Sequence, residues 1–236
     1  MTTTSTSGGE RVRDGGLVGR GDELARLTSA WQRTRAGEVA GVLVGGEAGV
    51  GKSRLVDEFL TRVVTEPHAR MLFRESPPAG EPGTVGPPVQ AVAGALELLE
   101  RLGRARPLVL VVEDLHHASD RARDLLGFLA RNLHGTAVLL LGTYRTEQLS
   151  QDGHLRSFLL ELGRRARFQR LELPRLGREQ VGALVEARVG VGAGAPLVDE
   201  VFRHSGGNPR DAVAQVESMR SRGDAGWPLP PPPTTR

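Results

Sequence analysis

The sequence predicts an α/β fold with a doubly wound, mostly parallel sheet and a small C-terminal helical subdomain. Three observations predict it. Short continuous apolar runs at Val39–Val44, Leu108–Val112 and Ala137–Leu141 read as strands buried on both faces. Segments with helical spacing of apolar residues alternate with these runs, as parallel βαβ units require. After Pro174 strand signals stop, and three helical segments follow at about 177–189, 196–204 and 209–221.

The first run leads into Gly46-Glu47-Ala48-Gly49-Val50-Gly51-Lys52-Ser53, which fits G-x-x-x-x-G-K-[ST] without a mismatch. A helix is expected next, with Leu55, Val56, Phe59, Leu60 and Val63 on one face. Strand, glycine loop and helix together make this a P-loop NTPase fold. The glycines let successive backbone N–H groups of Gly46 through Gly51 turn inward around phosphates. The following helix start, through Arg54, adds its own N–H groups and partial positive charge. Lys52 can reach the β- and γ-phosphates, and the Ser53 hydroxyl can ligate Mg²⁺. Of the 31 Lys and Arg residues, 30 are Arg, and Lys52 is the one lysine. A compact rotatable ammonium suits a phosphate nest where a planar fork does not.

The chain then reads in order. Residues 1–16 are small, polar and Gly-rich, and disorder is expected there. A helix carries Leu24, Leu27 and Trp31 on one stripe, with Asp22 as its N-cap. Met71–Phe73 reads as a second strand. Residues 76–88, with five prolines and three glycines, form a loop. Val89–Leu102 is helical, with Val92, Leu96 and Leu99 on its apolar face. Leu108–Val112 is read as a central strand. Ser119 or Asp120 caps a helix carrying Leu125, Leu126, Leu129 and Leu133 that ends near Gly135. Leu155–Leu162 is a further helix, and Phe168–Leu173 a strand nearer the sheet edge. The expected organisation is a disordered start at 1–16, a nucleotide-binding α/β domain at 17–174, a helical subdomain at 175–221 and a disordered tail at 222–236.

Composition narrows the function classes. With no cysteine, disulfides and cysteine-held zinc are excluded, and a cytoplasmic location fits. No apolar run approaches the roughly 18 residues that span a bilayer, and the N-terminus lacks a signal-peptide core, so no membrane role is expected. The pI near 10.3 invites a nucleic-acid reading. The net charge is only +3, however, and the densest cluster, Arg164, Arg165, Arg167 and Arg170, reads as a solvated helix end. His116-His117 lacks a third ligand for a metal.

The Leu108–Val112 strand ends in Glu113-Asp114. An apolar strand that delivers two carboxylates to the carboxyl edge of the sheet is the Walker B arrangement. One carboxylate holds Mg²⁺ and the other orients or deprotonates the attacking water. If the Ala137–Leu141 strand lies beside this one, Thr143 and Arg145 point at the γ-phosphate region.

The ordered series Leu17-Val18-Gly19-Arg20, Gly46–Ser53, Val111-Val112-Glu113-Asp114-Leu115-His116, Gly142-Thr143-Tyr144-Arg145 and Gly206-Gly207-Asn208-Pro209 resembles the AAA/STAND-type ATP-binding domain of large bacterial LuxR-type regulators. Related modules occur beside some adenylyl cyclase domains and in origin-recognition-like ATPases. The resemblance covers about residues 17 to 221. It implies that Val18, Gly19 and Arg20 pack near adenine and that Arg145 is the sensor arginine. It further implies that Gly207, Asn208 and Pro209 contact nucleotide, that Glu113 holds Mg²⁺ and that Asp114 serves the water. ATP would favour an open, assembling form and ADP a closed one. The sequence departs from the family after the acidic pair, where Leu115-His116-His117-Ala118-Ser119 replaces Leu-His-Trp-Ala-Asp. The segment before the Walker B strand is shorter than in the family. No recognition helix follows the helical subdomain, so direct DNA binding is not expected to carry over.

The preferred expectation is an ATP-binding switch with slow Mg²⁺-dependent hydrolysis, in signal transduction or transcriptional regulation. It would bind ATP and ADP, with a protein partner or self-association left open. An ATPase acting on nucleic acid and a shortened relative that binds nucleotide without turnover are the two other readings.

Overall fold

The computed structural model describes residues 17–62, 64, 68–72, 89–189 and 193–222. The readings of 1–16, 76–88 and 223–236, and of Val63 and Phe73, lie outside them. Strands β1 (Ala40–Gly46), β2 (His68–Leu72), β3 (Leu108–Glu113), β4 (Val138–Arg145) and β5 (Phe168–Glu172) form one sheet in the order β2-β3-β4-β1-β5. Every pairing is parallel. Helix α1 (Gly21–Arg35) precedes β1, and α2 (Lys52–Arg62), α3 (Val89–Ala105), α4 (Asp120–Asn132) and α5 (Gly153–Gly163) lie in the four crossovers. A 3-10 turn, Thr146–Ser150, joins β4 to α5.

The apolar runs become β1, β3 and β4 because each lies between two neighbours and is buried along its length. Alternate residues face opposite layers. Leu43, Leu110, Val112, Leu140 and Tyr144 pack with Leu129 and Leu133 of the α4 segment and with Leu155, Phe158 and Leu159 of α5. On α1 and α2, Leu27, Trp31, Leu55, Val56 and Phe59 are at most 2% exposed. Burying each such side chain stabilises the fold by about 1.5–3 kcal/mol.

Several boundaries differ from the sequence reading. Arg20, not Asp22, occupies the N-cap of α1, and Asp22 sits in the first turn beside the positive end of the helix dipole. The Arg20 side chain makes no capping bond because it is held elsewhere, as described below. β4 runs four residues past the apolar stretch, through Gly142-Thr143-Tyr144-Arg145, because β1 pairs with it as far as Gly46↔Arg145. β2 begins at His68 rather than Met71, since its pairing with β3 starts at His68↔Val109. β3 lies one strand in from the edge, not at the centre. Ser119 caps α4, accepting from the Ala122 amide at 3.3 Å.

The chain divides into two units: Arg20–Pro174, which holds the sheet, and a second unit that contains residues 17–19 and 175–222 among those described. The second unit is built on α6 (Arg178–Val189), α7 (Ala195–Ser205) and α8 (Pro209–Arg222). Its core joins Leu176, Val181, Val185, Leu197, Val201, Val216 and Met219. Residues 17–19 group with these helices through the Gln180 amide, which donates to the Gly19 carbonyl at 3.1 Å.

The Gly206-Gly207-Asn208-Pro209 turn is explained locally. Gly206 closes α7 in the left-handed region, its N–H donating to Phe202 O at 2.8 Å. Asn208 caps α8 through the Arg210 amide, and Pro209 takes the first helical position. Gly207 has φ +83°, and a Cβ there would lie 2.2 Å from Leu176 O. Its carbonyl accepts from the Leu176 amide at 2.8 Å. Gly207→Ala is therefore expected to destabilise the helical unit by more than about 1 kcal/mol. A fall in the denaturation midpoint with an unchanged m-value checks this.

Candidate nucleotide site

The site forms at the carboxyl edge of the sheet, where β1, β3 and β4 end together. β1 delivers Gly46, and the loop runs through Val50 to Gly51 before α2 starts at Lys52. Gly49 and Gly51 have φ of +80° and +103°, conformations that a side chain disfavours. The start of α2 directly follows the loop, and the Leu55 amide donates to Gly51 O at 3.0 Å.

Lys52 is 8% exposed. Its Nζ donates to the carbonyls of Gly46 at 2.7 Å and Glu47 at 2.8 Å. Burial pushes its pKa down, against the pull of Glu147, Asp114 and Glu172. Ser53 Oγ donates to Glu113 Oε2 at 2.8 Å, across 60 residues of sequence. Two adjacent oxygen ligands of an octahedral ion with bonds of 2.0–2.1 Å lie about 2.9 Å apart, so this pair fits a Mg²⁺ edge. Among the described residues no group of three His, Cys, Asp or Glu could hold a metal, and a Mg²⁺ shared with phosphates needs only one or two protein oxygens.

Asp114 follows at φ +56°, the one non-glycine residue with positive φ among those described. Its amide donates to Thr143 Oγ1 at 3.0 Å, and the Leu115 amide to Thr143 O at 2.9 Å. Thr143 thus fixes the turn that carries the second carboxylate. Arg145 ends β4 opposite Gly46, electrostatically coupled to Lys52. β4 does lie between β3 and β1, but the Thr143 hydroxyl is buried and engaged by the Asp114 amide rather than open to a phosphate.

The remaining expected residues fall as follows. The Arg20 guanidinium donates to Val50 O at 3.2 Å, Pro174 O at 2.6 Å and Glu23 Oε1 at 3.0 Å. It ties the phosphate loop to the chain just beyond β5. Arg54 lies on the first turn of α2, 3.9 Å from Glu58. Val18, Gly19 and Pro209 belong to the helical unit.

Three residues at the site carried no sequence signal of their role. Glu147, on the 3-10 turn, accepts from the Ala48 amide of the loop at 2.8 Å. Buried Arg123 donates to Leu115 O at 3.1 Å and His116 O at 3.2 Å, and meets Asp152 at 2.7 Å. It binds the turn after the acidic pair to the N-cap of α5. The His116 side chain is 1% exposed, and neither ring nitrogen has a protein hydrogen-bond partner among the described residues. Its Nε2 lies 3.9 Å from Asp114 Oδ1, and its ring is 4.1 Å from that of His117. Strand order reveals Glu147 and the Arg123–Asp152 pair, whose partners come from distant segments, whereas the His116 contacts are local.

Residues 16–81, which include the phosphate loop, match the AAA ATPase domain family. Solved structures resemble the chain over most of its length. The Thermotoga maritima RuvB Holliday junction branch migration motor superimposes with a TM-score of 0.57 at 20% identity, over 86% of this chain and 62% of that one. The Aeropyrum pernix ORC1 protein, solved in complex with DNA, gives 0.60 at 19%, over 90% and 63%. The ORC2 protein of the same organism, in ADPNP–ADP complexes, gives 0.57 at 16%, over 93% and 67%. The fold is that of a P-loop NTPase. An uncharacterized protein of Rhizobium meliloti (strain 1021) is 27% identical over 58% of this chain, which spans 19% of that relative's length. No helix among the described residues is long and apolar enough to cross a membrane.

Two expectations follow from the site's supports. Arg123→Met removes one donor each from Leu115 O, His116 O and the Asp152 carboxylate, and should cost about 2–4 kcal/mol of stability in denaturant titration. For His116, burial, with His117, Arg145 and Lys52, holds the folded pKa at about 4, below the ordinary 6.5. The unfolded chain therefore binds one more proton in that window, and stability falls as pH drops from about 6.5 to 4. His116→Leu should remove this one-proton component, up to about 1.4 kcal/mol per pH unit, from stability measured across that range.

Proposed function

We propose that the protein is an ATP-binding switch of the AAA/STAND type with slow Mg²⁺-dependent hydrolysis, serving signal transduction or transcriptional regulation in the cytoplasm. The observation that carries the reading is the Ser53–Glu113 hydrogen bond at the mouth of the phosphate loop. A hydroxyl and a carboxylate oxygen 2.8 Å apart match the spacing of two adjacent Mg²⁺ ligands, which supports the reading. The AAA ATPase match over residues 16–81 supports the nucleotide class.

In this reading the loop amides and the first turn of α2 receive the phosphates. Lys52 exchanges its two carbonyl partners for phosphate oxygens, a substitution that keeps the ammonium solvated by oxygen throughout. Ser53 and Glu113 would hold Mg²⁺, which when bound would supply neutralisation of phosphate charge. Asp114 accepts a proton from a water that attacks the γ-phosphorus. The bond from that phosphorus to the β-phosphate oxygen breaks, and ADP and inorganic phosphate leave. Arg145 faces the charge that develops on the transferred group. Val18, Gly19 and Arg20 serve the adenine side, Arg20 by fixing Val50 and the backbone rather than through a free guanidinium. The family resemblance assigns Pro209 to nucleotide contact, and nucleotide state would be reported to a partner protein or a second copy.

Thermal-shift and phosphate-release assays test this. With Mg²⁺, ATP at 100 times its Kd should stabilise the wild type by about 2.7 kcal/mol. Lys52→Ala should abolish the shift, and Glu113→Gln with Asp114→Asn should retain binding while phosphate release stops. A wild-type chain that neither shifts with ATP nor retains it in equilibrium dialysis would overturn the reading.

A further inference from the structure

β4 ends at Arg145, and the chain turns at once into the 3-10 segment Thr146–Ser150. The turn is held by Ser150 Oγ donating to Glu147 O at 3.2 Å and by the Asp152 amide donating to Gln148 O at 2.9 Å. It sets an exposed carboxylate on the phosphate loop, with Glu147 Oε1 accepting from the Ala48 amide at 2.8 Å, 99 residues away in sequence. Burial alone would raise the Glu147 pKa. Its own amide, the Ala48 amide, Lys52 and Arg145 outweigh that and hold it below the ordinary value, so the group is anionic at neutral pH. In return Glu147 is the strongest charge acting on Lys52. An anion of this chain therefore already occupies a donor of the loop and shares the charge of its two cations.

The position on the sheet says which phosphate it opposes. β4 separates the loop strand β1 from the acidic strand β3. A terminal phosphate reached by both Lys52 and the Glu113-Asp114 pair would lie over the end of β4, the strand between them, whose Arg145 is electrostatically coupled to Lys52. Glu147 is two residues beyond that strand end. A diphosphate received by the amides that open α2 would lie toward Gly51 and Ser53, further along the loop than Ala48.

We propose that Glu147 is a specificity-determining residue that biases the site toward a nucleoside diphosphate over a triphosphate. The third phosphate has to displace the carboxylate from Ala48 and from the Lys52–Arg145 pair; a diphosphate leaves it in place. This inference rests on the nucleotide-site reading above.

The test is calorimetric binding of MgATP and MgADP to the full chain, as wild type, Glu147→Gln and Glu147→Ala. Glutamine keeps an acceptor for the Ala48 amide and removes the charge. Both variants should gain at least about tenfold in ATP affinity, with ADP affinity changing less than about threefold. Inorganic tripolyphosphate against pyrophosphate should show the same divergence without a base. Parallel losses for both nucleotides would make Glu147 a structural support of the loop and overturn the inference. So would an unchanged ATP-to-ADP ratio, and in either case the nucleotide site itself would stand. Absence of binding in all three chains would overturn it together with the reading on which it rests.

Discussion

The hydrogen bond from Ser53 to Glu113 constrains almost everything else at this edge of the sheet. The strands that lead to the two residues are not neighbours, because β4 lies between β1 and β3. At about 4.8 Å per strand they stand roughly 10 Å apart. The loop from Glu47 to Gly51 must cross the end of β4 before α2 starts, and only then can Ser53 meet a carboxylate of β3. That crossing demands the left-handed glycines. It also places Arg145 and Glu147, which leave β4 beneath the loop, in electrical contact with Lys52.

A second network keeps the end of β4 in the sheet. Tyr144 is buried, its hydroxyl donating to Glu172 Oε1 at 2.5 Å and accepting from Arg170 at 3.0 Å. Burial pushes the phenol pKa up, and the Glu172 bond adds to it, so Tyr144 remains a donor. The network ties β4 to β5 across Gly45 of β1, where a Cβ would lie 2.4 Å from Glu172 Oε2. The residue before the phosphate loop is therefore glycine for packing, independently of the phosphate motif.

These two constraints explain what the sequence revealed and what it did not. The interior strands were legible because burial on both faces leaves a continuous apolar run, and the phosphate loop because its chemistry fixes residue types at fixed spacing. The last four residues of β4 were not, since Gly142-Thr143-Tyr144-Arg145 is polar in composition. Thr143 and Tyr144 are buried only because partners on β3, β5 and the Asp114 turn satisfy them. Arg20 reads from its surroundings as a ligand contact, yet its donors go to Val50, Pro174 and Glu23, partners that no local pattern announces. Glu147 and Arg123 had the same invisibility. Glu147 acts on a backbone amide 99 residues away and Arg123 on the carbonyls of Leu115 and His116, and a backbone partner leaves no residue type for the eye to pair with.

Lys52 shows why one lysine persists in a chain with 30 arginines. Its ammonium fits between two carbonyls 2.7 and 2.8 Å away, a geometry that a planar fork with five fixed donors cannot copy in a site this enclosed. Burial disfavours the charge, and the chain answers with carboxylates at Glu147, Asp114 and Glu172 rather than with solvent. Those same carboxylates repel phosphate. The site is thus balanced between keeping its cation charged when empty and admitting an anion when filled, and the carboxylate that leans on the loop itself, Glu147, is where that balance is most directly set.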